Sequence, residues 1–295
     1  MTYKYIRGVL ITVFLIWLSL YLDDQKQLLI AGFFVISFGV LHGSYDIYLI
    51  EFKEESYTLL KVTAAYILII LLLTFIFYSL HFVSFLIFLG LSSYHFGEQH
   101  LKPKLKLNDL YSKITYLSYG FLIFSLFILL KFNTVEKLIL VLYGDTISYE
   151  NFLYLALVNL GVVVGVSFTQ KLFLKLDLFI ELVILILLII IIKSTSFYFS
   201  FAIYFIVWHS IPSMEDQITL YYGYLNKHSI IQYLKKSFPF WVAAISGLFL
   251  YYFVVTTINE DQSHTLLVPI IMATTVTHII VMSIFLNKKR RIDSY

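Results

Sequence analysis

The chain has 295 residues, 60% of them apolar and only 13% charged, where a soluble globular chain is about 45–50% apolar and about 25% charged. That composition, with a mean hydropathy of +0.87, excludes a soluble domain and implies an integral membrane protein. The net charge of +3 gives no sign of a nucleic-acid partner, and with no Cys in the chain, disulfides, thiolate metal sites, iron–sulfur clusters and Cys nucleophiles are excluded too.

A helix needs roughly 20 mostly apolar residues to cross the hydrocarbon core. Ten segments qualify as candidates: Ile6–Leu22, Leu28–Ile50, Val62–Leu80, Phe82–Gln99, Ile114–Leu130, Phe152–Phe168, Leu176–Ile192, Phe197–Ile211, Phe238–Thr257 and Leu266–Leu286. The fold expected is therefore all-α: a bundle of about ten transmembrane helices with a buried metal site, forming one transmembrane helical domain over residues 1–295. The first segment has a basic start but no small-residue cleavage site before Asp23, so it reads as a retained helix and not a signal peptide. Leu80, His81 and Phe82 leave almost no loop, which predicts a tight antiparallel hairpin between the third and fourth helices. Glu136–Tyr143 is too short to span and is placed at the interface. Pro212 is expected to end or kink the eighth helix, with Glu215 and Asp216 interfacial beyond it. Gly39/Gly43 and Gly161/Gly165 form Gly-x-x-x-Gly pairs, read as helix-packing contacts.

The basic residues test the count. With ten spans both termini share one side, and that side collects 17 of the 21 Lys and Arg, among them Lys102, Lys104, Lys106, Lys171 and Lys175. The other side holds Lys26, Lys131, Lys137 and Lys193. Cytoplasmic loops carry the Lys/Arg excess, so both termini are expected in the cytoplasm.

Four of the eight His, namely His42, His95, His209 and His278, fall inside apolar spans. Ionisable groups at membrane depth are costly and usually functional. These four lie 12 to 14 residues from the starts of even-numbered helices, all running inward. At about 1.5 Å per residue the rings share one layer, roughly 18–21 Å below the outer edge. Four neutral imidazoles converging from four helices make a metal site, suited to zinc, copper, iron or nickel. Asp46 stands at i+4 from His42 and Glu98 at i+3 from His95. Both spacings share a helical face, so these carboxylates are candidates to accept the second ring N–H of a metal-bound His.

These residues carry a resemblance. His42-Gly43-Ser44-Tyr45-Asp46 resembles an His-Gly-x-x-Asp motif and His95-Phe96-Gly97-Glu98 an His-Phe-Gly motif, followed in order by Trp208-His209-Ser210 and Thr277-His278. Together they look like the Brp/Blh family of β-carotene 15,15'-dioxygenases, and the likeness runs from the second helix to the tenth. It implies a multi-pass inner-membrane enzyme that uses Fe(2+) and O₂ to cleave β-carotene at its central double bond into two molecules of all-trans-retinal, which then serve a retinal-binding rhodopsin. Carried over, His42, His95, His209 and His278 would be the iron ligands, with no catalytic residue beyond the metal. Tyr94 and Trp208, each next to a ligand candidate, are the residues selected for contact with the polyene. Two positions depart from the family pattern: Ser213, where many members have a second His, and Thr277, where many have Pro.

The chemistry suits the address, because a C40 hydrocarbon dissolves in lipid and its length is comparable with the roughly 30 Å core. The main rival is a proton- or metal-coupled transporter using the intramembrane His cluster. Against it, the sequence has no inverted repeat and no pair of Gly/Pro-broken helices at matching positions.

Overall fold

The computed structural model describes residues 2–53, 58–101, 109–169, 178–258 and 263–292. Among them there is helix and no strand. In chain order the helices are α1 (Thr2–Ser19), α2 (Asp24–Phe34), α3 (Val40–Gly43), α4 (Asp46–Lys53), α5 (Leu59–Leu80), α6 (Phe82–Leu101) and α7 (Asp109–Leu130). Then follow α8 (Phe132–Tyr143), α9 (Tyr149–Thr169), α10 (Leu178–Ser194), α11 (Phe197–Ile203), α12 (Ile211–Tyr222), α13 (Lys227–Ile258) and α14 (Ser263–Ile292). Two wide π-helical stretches, Val35–Gly39 and Tyr204–Ser210, run between α2 and α3 and between α11 and α12.

Local chemistry sets several boundaries. Asp23 caps α2: its carboxylate accepts the Lys26 backbone N–H at 2.8 Å and the Lys26 ammonium at 2.7 Å. These bonds hold the Asp23 carboxyl below the usual carboxylate range. Gly144 ends α8 in the left-handed region at φ 71°, where its N–H bonds the Leu140 carbonyl at 2.9 Å; a residue without Cβ takes that conformation at no steric cost. Ser196 caps α11 through Phe199 N–H.

Among the described residues, seven helical stretches are long and apolar enough to cross a membrane: Asp24–Ile50, Leu59–Leu80, Leu110–Leu130, Tyr149–Thr169, Phe197–Tyr222, Lys227–Val254 and Leu266–Ile284. The other three expected spans are present as helices α1, α6 and α10. They fall short for visible reasons. α1 carries Lys4 and Arg7, α6 ends in the polar run His95 to His100, and α10 has 17 described residues. Lys102, Lys104, Lys106, Lys171 and Lys175 of the charge argument lie outside the described residues.

The chain forms two compact units, Met1–Val35 with Leu89–Pro212 and Ile36–Phe88 with Ser213–Tyr295. In the first, α7 packs on α9, α1 on α10 and α11 on α2, around a core that includes Phe96, Ile123, Phe127, Ile192, Phe199 and Ile203. Its α6 and α7 touch backbone to backbone. A Cβ built on Gly97 would lie 1.9 Å from the Tyr116 carbonyl oxygen, and one on Gly120 only 1.8 Å from that of Ser93. Three of the Gly-x-x-x-Gly residues do nothing comparable: Gly161 and Gly165 have nothing within 4 Å, and Gly43 meets only the His278 ring at 3.8 Å. In the second unit α14 packs on α5 and α4, and α13 on α3. Its polar end is rich in tyrosine, with Tyr45 stacked on Tyr233 at 4.4 Å.

One expectation needs correction, and two others gain detail. Pro212 does not end its helix. It sits at the second residue of α12, which runs on to Tyr222, two residues after the wide stretch Tyr204–Ser210, where the helical ladder already departs from the regular pattern that proline interrupts. Glu215, within α12, is buried. The short Glu136–Tyr143 segment belongs to a longer amphipathic helix, α8, with Val135 and Ile139 buried. The tight connection of α5 to α6 is present and consists of His81 alone, at φ 48° and ψ −124°.

Candidate metal centre

In the second unit, His42 stands one residue before the end of α3, the short turn that follows the first π-helical stretch, and is buried. Its Nδ1–H donates to the Gly39 carbonyl. A carbonyl only accepts, so the proton is on Nδ1 and the lone pair on Nε2. Beyond Gly43 the helix breaks. Ser44 N–H turns back to Leu41 O at 3.1 Å, and α4 starts afresh at Asp46.

That break corrects the expectation drawn from spacing. Asp46 was placed on the face of His42 by an i+4 rule that needs a continuous helix. Instead its carboxylate, fully buried, accepts His278 Nδ1–H at 2.9 and 3.0 Å and Tyr66 O–H at 2.9 Å. His278 is therefore protonated on Nδ1, and its Nε2 takes no part in the bond to Asp46. The His42 and His278 rings meet edge to face, 4.6 Å between centroids. Thr277, beside His278, bonds its own helix through the Ala273 carbonyl at 2.8 Å.

In the first unit, His95 on α6 and His209 in the second π-helical stretch are buried side by side, ring centroids 5.0 Å apart. Phe96 stacks flat on His209 at 3.9 Å and 5°. Gln99 Nε2–H donates to the His209 carbonyl at 2.9 Å. Glu98 is buried. Tyr94 is half-buried with its ring edge-on to Tyr116 at 6.3 Å. Trp208 is committed to α1: its indole N–H donates to Thr12 Oγ1 at 3.1 Å, and the ring lies where a Cβ on Gly8 would come within 3.0 Å.

The structure thus pairs His42 with His278 and His95 with His209. His42 and His278 in the second unit are buried imidazoles, as are His95 and His209 in the first. All four expected histidines thus offer imidazole nitrogens, the donor type that suits a borderline transition metal such as zinc, copper, iron or nickel. Sequence reasoning missed Tyr66, Gln99, Gln217 and Tyr233. Gln217, fully buried in α12, donates to the His42 carbonyl at 3.1 Å and to Ser213 Oγ at 3.3 Å, and accepts Tyr233 O–H at 2.9 Å. The signal was available as amides and phenols inside apolar helices. The π-helical stretches, which recur at functional sites, left no mark beyond Gly39 and Pro212 nearby.

Comparison with curated proteins and with solved structures finds no match. A family model described as "Beta-carotene 15,15'-dioxygenase" matches residues 33–286, a stretch that contains all four buried histidines. The chain belongs to the beta-carotene 15,15'-dioxygenase family.

Proposed function

We propose that this protein is a carotenoid-cleaving dioxygenase that splits β-carotene at the 15,15' double bond, with His42, His95, His209 and His278 as ligands of one Fe(2+). The observation that carries the reading is the family match across all four histidines. The donor set fits the ion, because Gly39 and Asp46 take the Nδ1 protons of His42 and His278 and commit Nε2 to ligation.

Bound Fe(2+) supplies the redox chemistry that lets O₂ react with a conjugated alkene. Both oxygen atoms go to the two carbons of the broken double bond, giving two aldehydes, so no proton has to be delivered or removed. The residues match that demand. Asp46 orients an imidazole and is itself occupied by Tyr66. Glu98 is proposed to accept a ring N–H in the same way. Phe96 and Phe205 flank the His209 ring at 3.9 and 5.5 Å and keep water from it. Tyr94 and Trp208 are proposed to contact the polyene, Trp208 as a fixed wall anchored on α1.

The substrate arrives from lipid, and the retinal product passes to a retinal-binding rhodopsin. The ten helices of the charge argument are proposed to cross the inner membrane as one domain, adding α1, α6 and α10 to the seven stretches that qualify on length and apolarity. Both termini are then cytoplasmic.

Expression in a bacterium that accumulates β-carotene tests the reading. The expected result is loss of colour with retinal detected by chromatography, iron in the purified protein, and a His42→Ala variant that stays coloured. Retinal production by His42→Ala, or apocarotenals of unequal length, overturns it.

A further inference from the structure

We infer that Gln99 and Gln217 are positioning residues, each reaching from another helix to hold the backbone carbonyl of a metal-binding histidine. The inference rests on the metal site proposed above and adds residues that its ligand set does not include.

The two clamps occur independently, one inside each unit, and share one chemistry. Gln217 Nε2–H donates to His42 O at 3.1 Å, and Gln99 Nε2–H donates to His209 O at 2.9 Å. The partners lie 175 and 110 residues apart in sequence, so neither bond is an incident of one helix. Both held carbonyls belong to irregular helix: His42 stands one residue before the end of α3, and His209 lies inside a π-helical stretch. At the end of a helix the last carbonyls lose the amides that a continuing helix would supply. At His42, the Gln217 amide stands in for them.

Burial strengthens the argument. An amide taken out of water is costly unless its groups are bonded, and Gln217 is fully buried. It is also aimed. Tyr233 O–H donates to Gln217 Oε1 at 2.9 Å, which fixes which end of the amide faces His42. Tyr233 in turn stacks on Tyr45, one of the two residues of the break between α3 and α4. His42 is consequently held at both ends, its ring by the Gly39 carbonyl and its backbone by Gln217. His209 is held likewise, its ring by Phe96 and its backbone by Gln99.

The test is Co²⁺ binding to the full-length chain, purified in detergent and stripped with a chelator, read by titration and by the ligand-field absorption of the bound ion. Gln99→Leu and Gln217→Leu are each expected to weaken Co²⁺ binding about tenfold, the lower end of what outer partners of a metal site contribute, and to shift the absorption band. Tyr233→Phe leaves the Gln217 donor in place but removes its steering bond, together with the Tyr233 hydroxyl's own longer contact with the His42 carbonyl at 3.5 Å, and is expected to weaken binding about threefold, the value of one ordinary hydrogen bond. It also serves, with Gln217→Asn, if the Leu variants fail to fold. Thr195→Val is the control: it deletes a buried hydroxyl that bonds its own helix end at 2.7 Å and should leave the Co²⁺ affinity and spectrum unchanged.

Unchanged Co²⁺ affinity in the glutamine and Tyr233 variants overturns the inference. So does equal weakening by Thr195→Val, or a parent chain that binds no Co²⁺. A parent chain that binds Co²⁺, with the variants weakened as expected but no β-carotene cleaved, refutes the proposed function and sustains the clamps.

Discussion

Replacing Gly97 with Ala adds one methyl group between α6 and α7, and the geometry says what it meets. The new Cβ would lie 1.9 Å from the Tyr116 carbonyl oxygen, 2.7 Å from its carbonyl carbon and 3.0 Å from its Cα. Ordinary contact begins near 3.4 Å, so the helices must part by about 1.5 Å locally. The obstacle is backbone on both sides, and no side chain can rotate away. Overpacking a well-packed site costs about 1–3 kcal/mol, and this contact belongs at or above the upper figure. His95 stands two residues from Gly97 on the same helix, and a displacement of about 1 Å at a reacting centre costs roughly a hundredfold in rate. Gly97→Ala should therefore lower the thermal midpoint in detergent by several degrees and reduce retinal formation by two orders of magnitude. Gly90→Ala is the comparison. It lies on the same helix with nothing within 4 Å, and should be neutral or stabilising by up to about 1 kcal/mol through helix propensity. A Gly97→Ala protein that melts and turns over like Gly90→Ala refutes the close-approach argument.

Three further expectations follow from the same structure. Asp46→Ala strands two buried donors, His278 Nδ1–H and Tyr66 O–H, and should cost about 3 kcal/mol or more, whereas Tyr66→Phe removes one bond and should cost about 1.5 kcal/mol; equal losses in thermal unfolding would contradict the assigned network. His81→Gly should raise stability by about 1 kcal/mol, because an exposed non-glycine residue at φ 48° and ψ −124° stores conformational strain; a lowered melting midpoint would show that the histidine is needed there. Because the native chain has no Cys, single cysteines placed at residues 2 and 295 can be labelled without background; both should react with an impermeant thiol reagent only after the inner membrane is opened, and labelling of one alone in intact cells would break the ten-span topology.

What the sequence made legible followed from composition and order. Apolar length located the helices, and the four histidines announced themselves as ionisable groups where lipid should be. Their pairing was not legible, because it depends on backbone that departs from the regular helix on which spacing rules are built. The i+4 rule placed Asp46 with His42, but the break at Ser44–Tyr45 turned it to His278. Small-residue motifs pointed to Gly39/Gly43 and Gly161/Gly165, yet the close approach is made by Gly97 and Gly120, which lie on different helices and form no local pattern. Gln99 and Gln217 were invisible for a similar reason. A glutamine in an apolar run is identified as a clamp only when its distant carbonyl partner is known.

The π-helical stretch before His42 has an evolutionary corollary. Such a stretch is an α-helix with one residue too many, so deleting a single position, for example Ser37, would let Val35–Gly39 relax to the regular form. The span would still be long enough to reach across the bilayer, and its hydrophobicity would hardly change. The facing of everything after the deletion would hardly change either, because five residues of π-helix and four of α-helix both turn through roughly 400°. A deletion in this stretch is therefore the mildest way to remove the wide turn: the span and the side on which His42 stands survive it, and only the local widening before the histidine is lost.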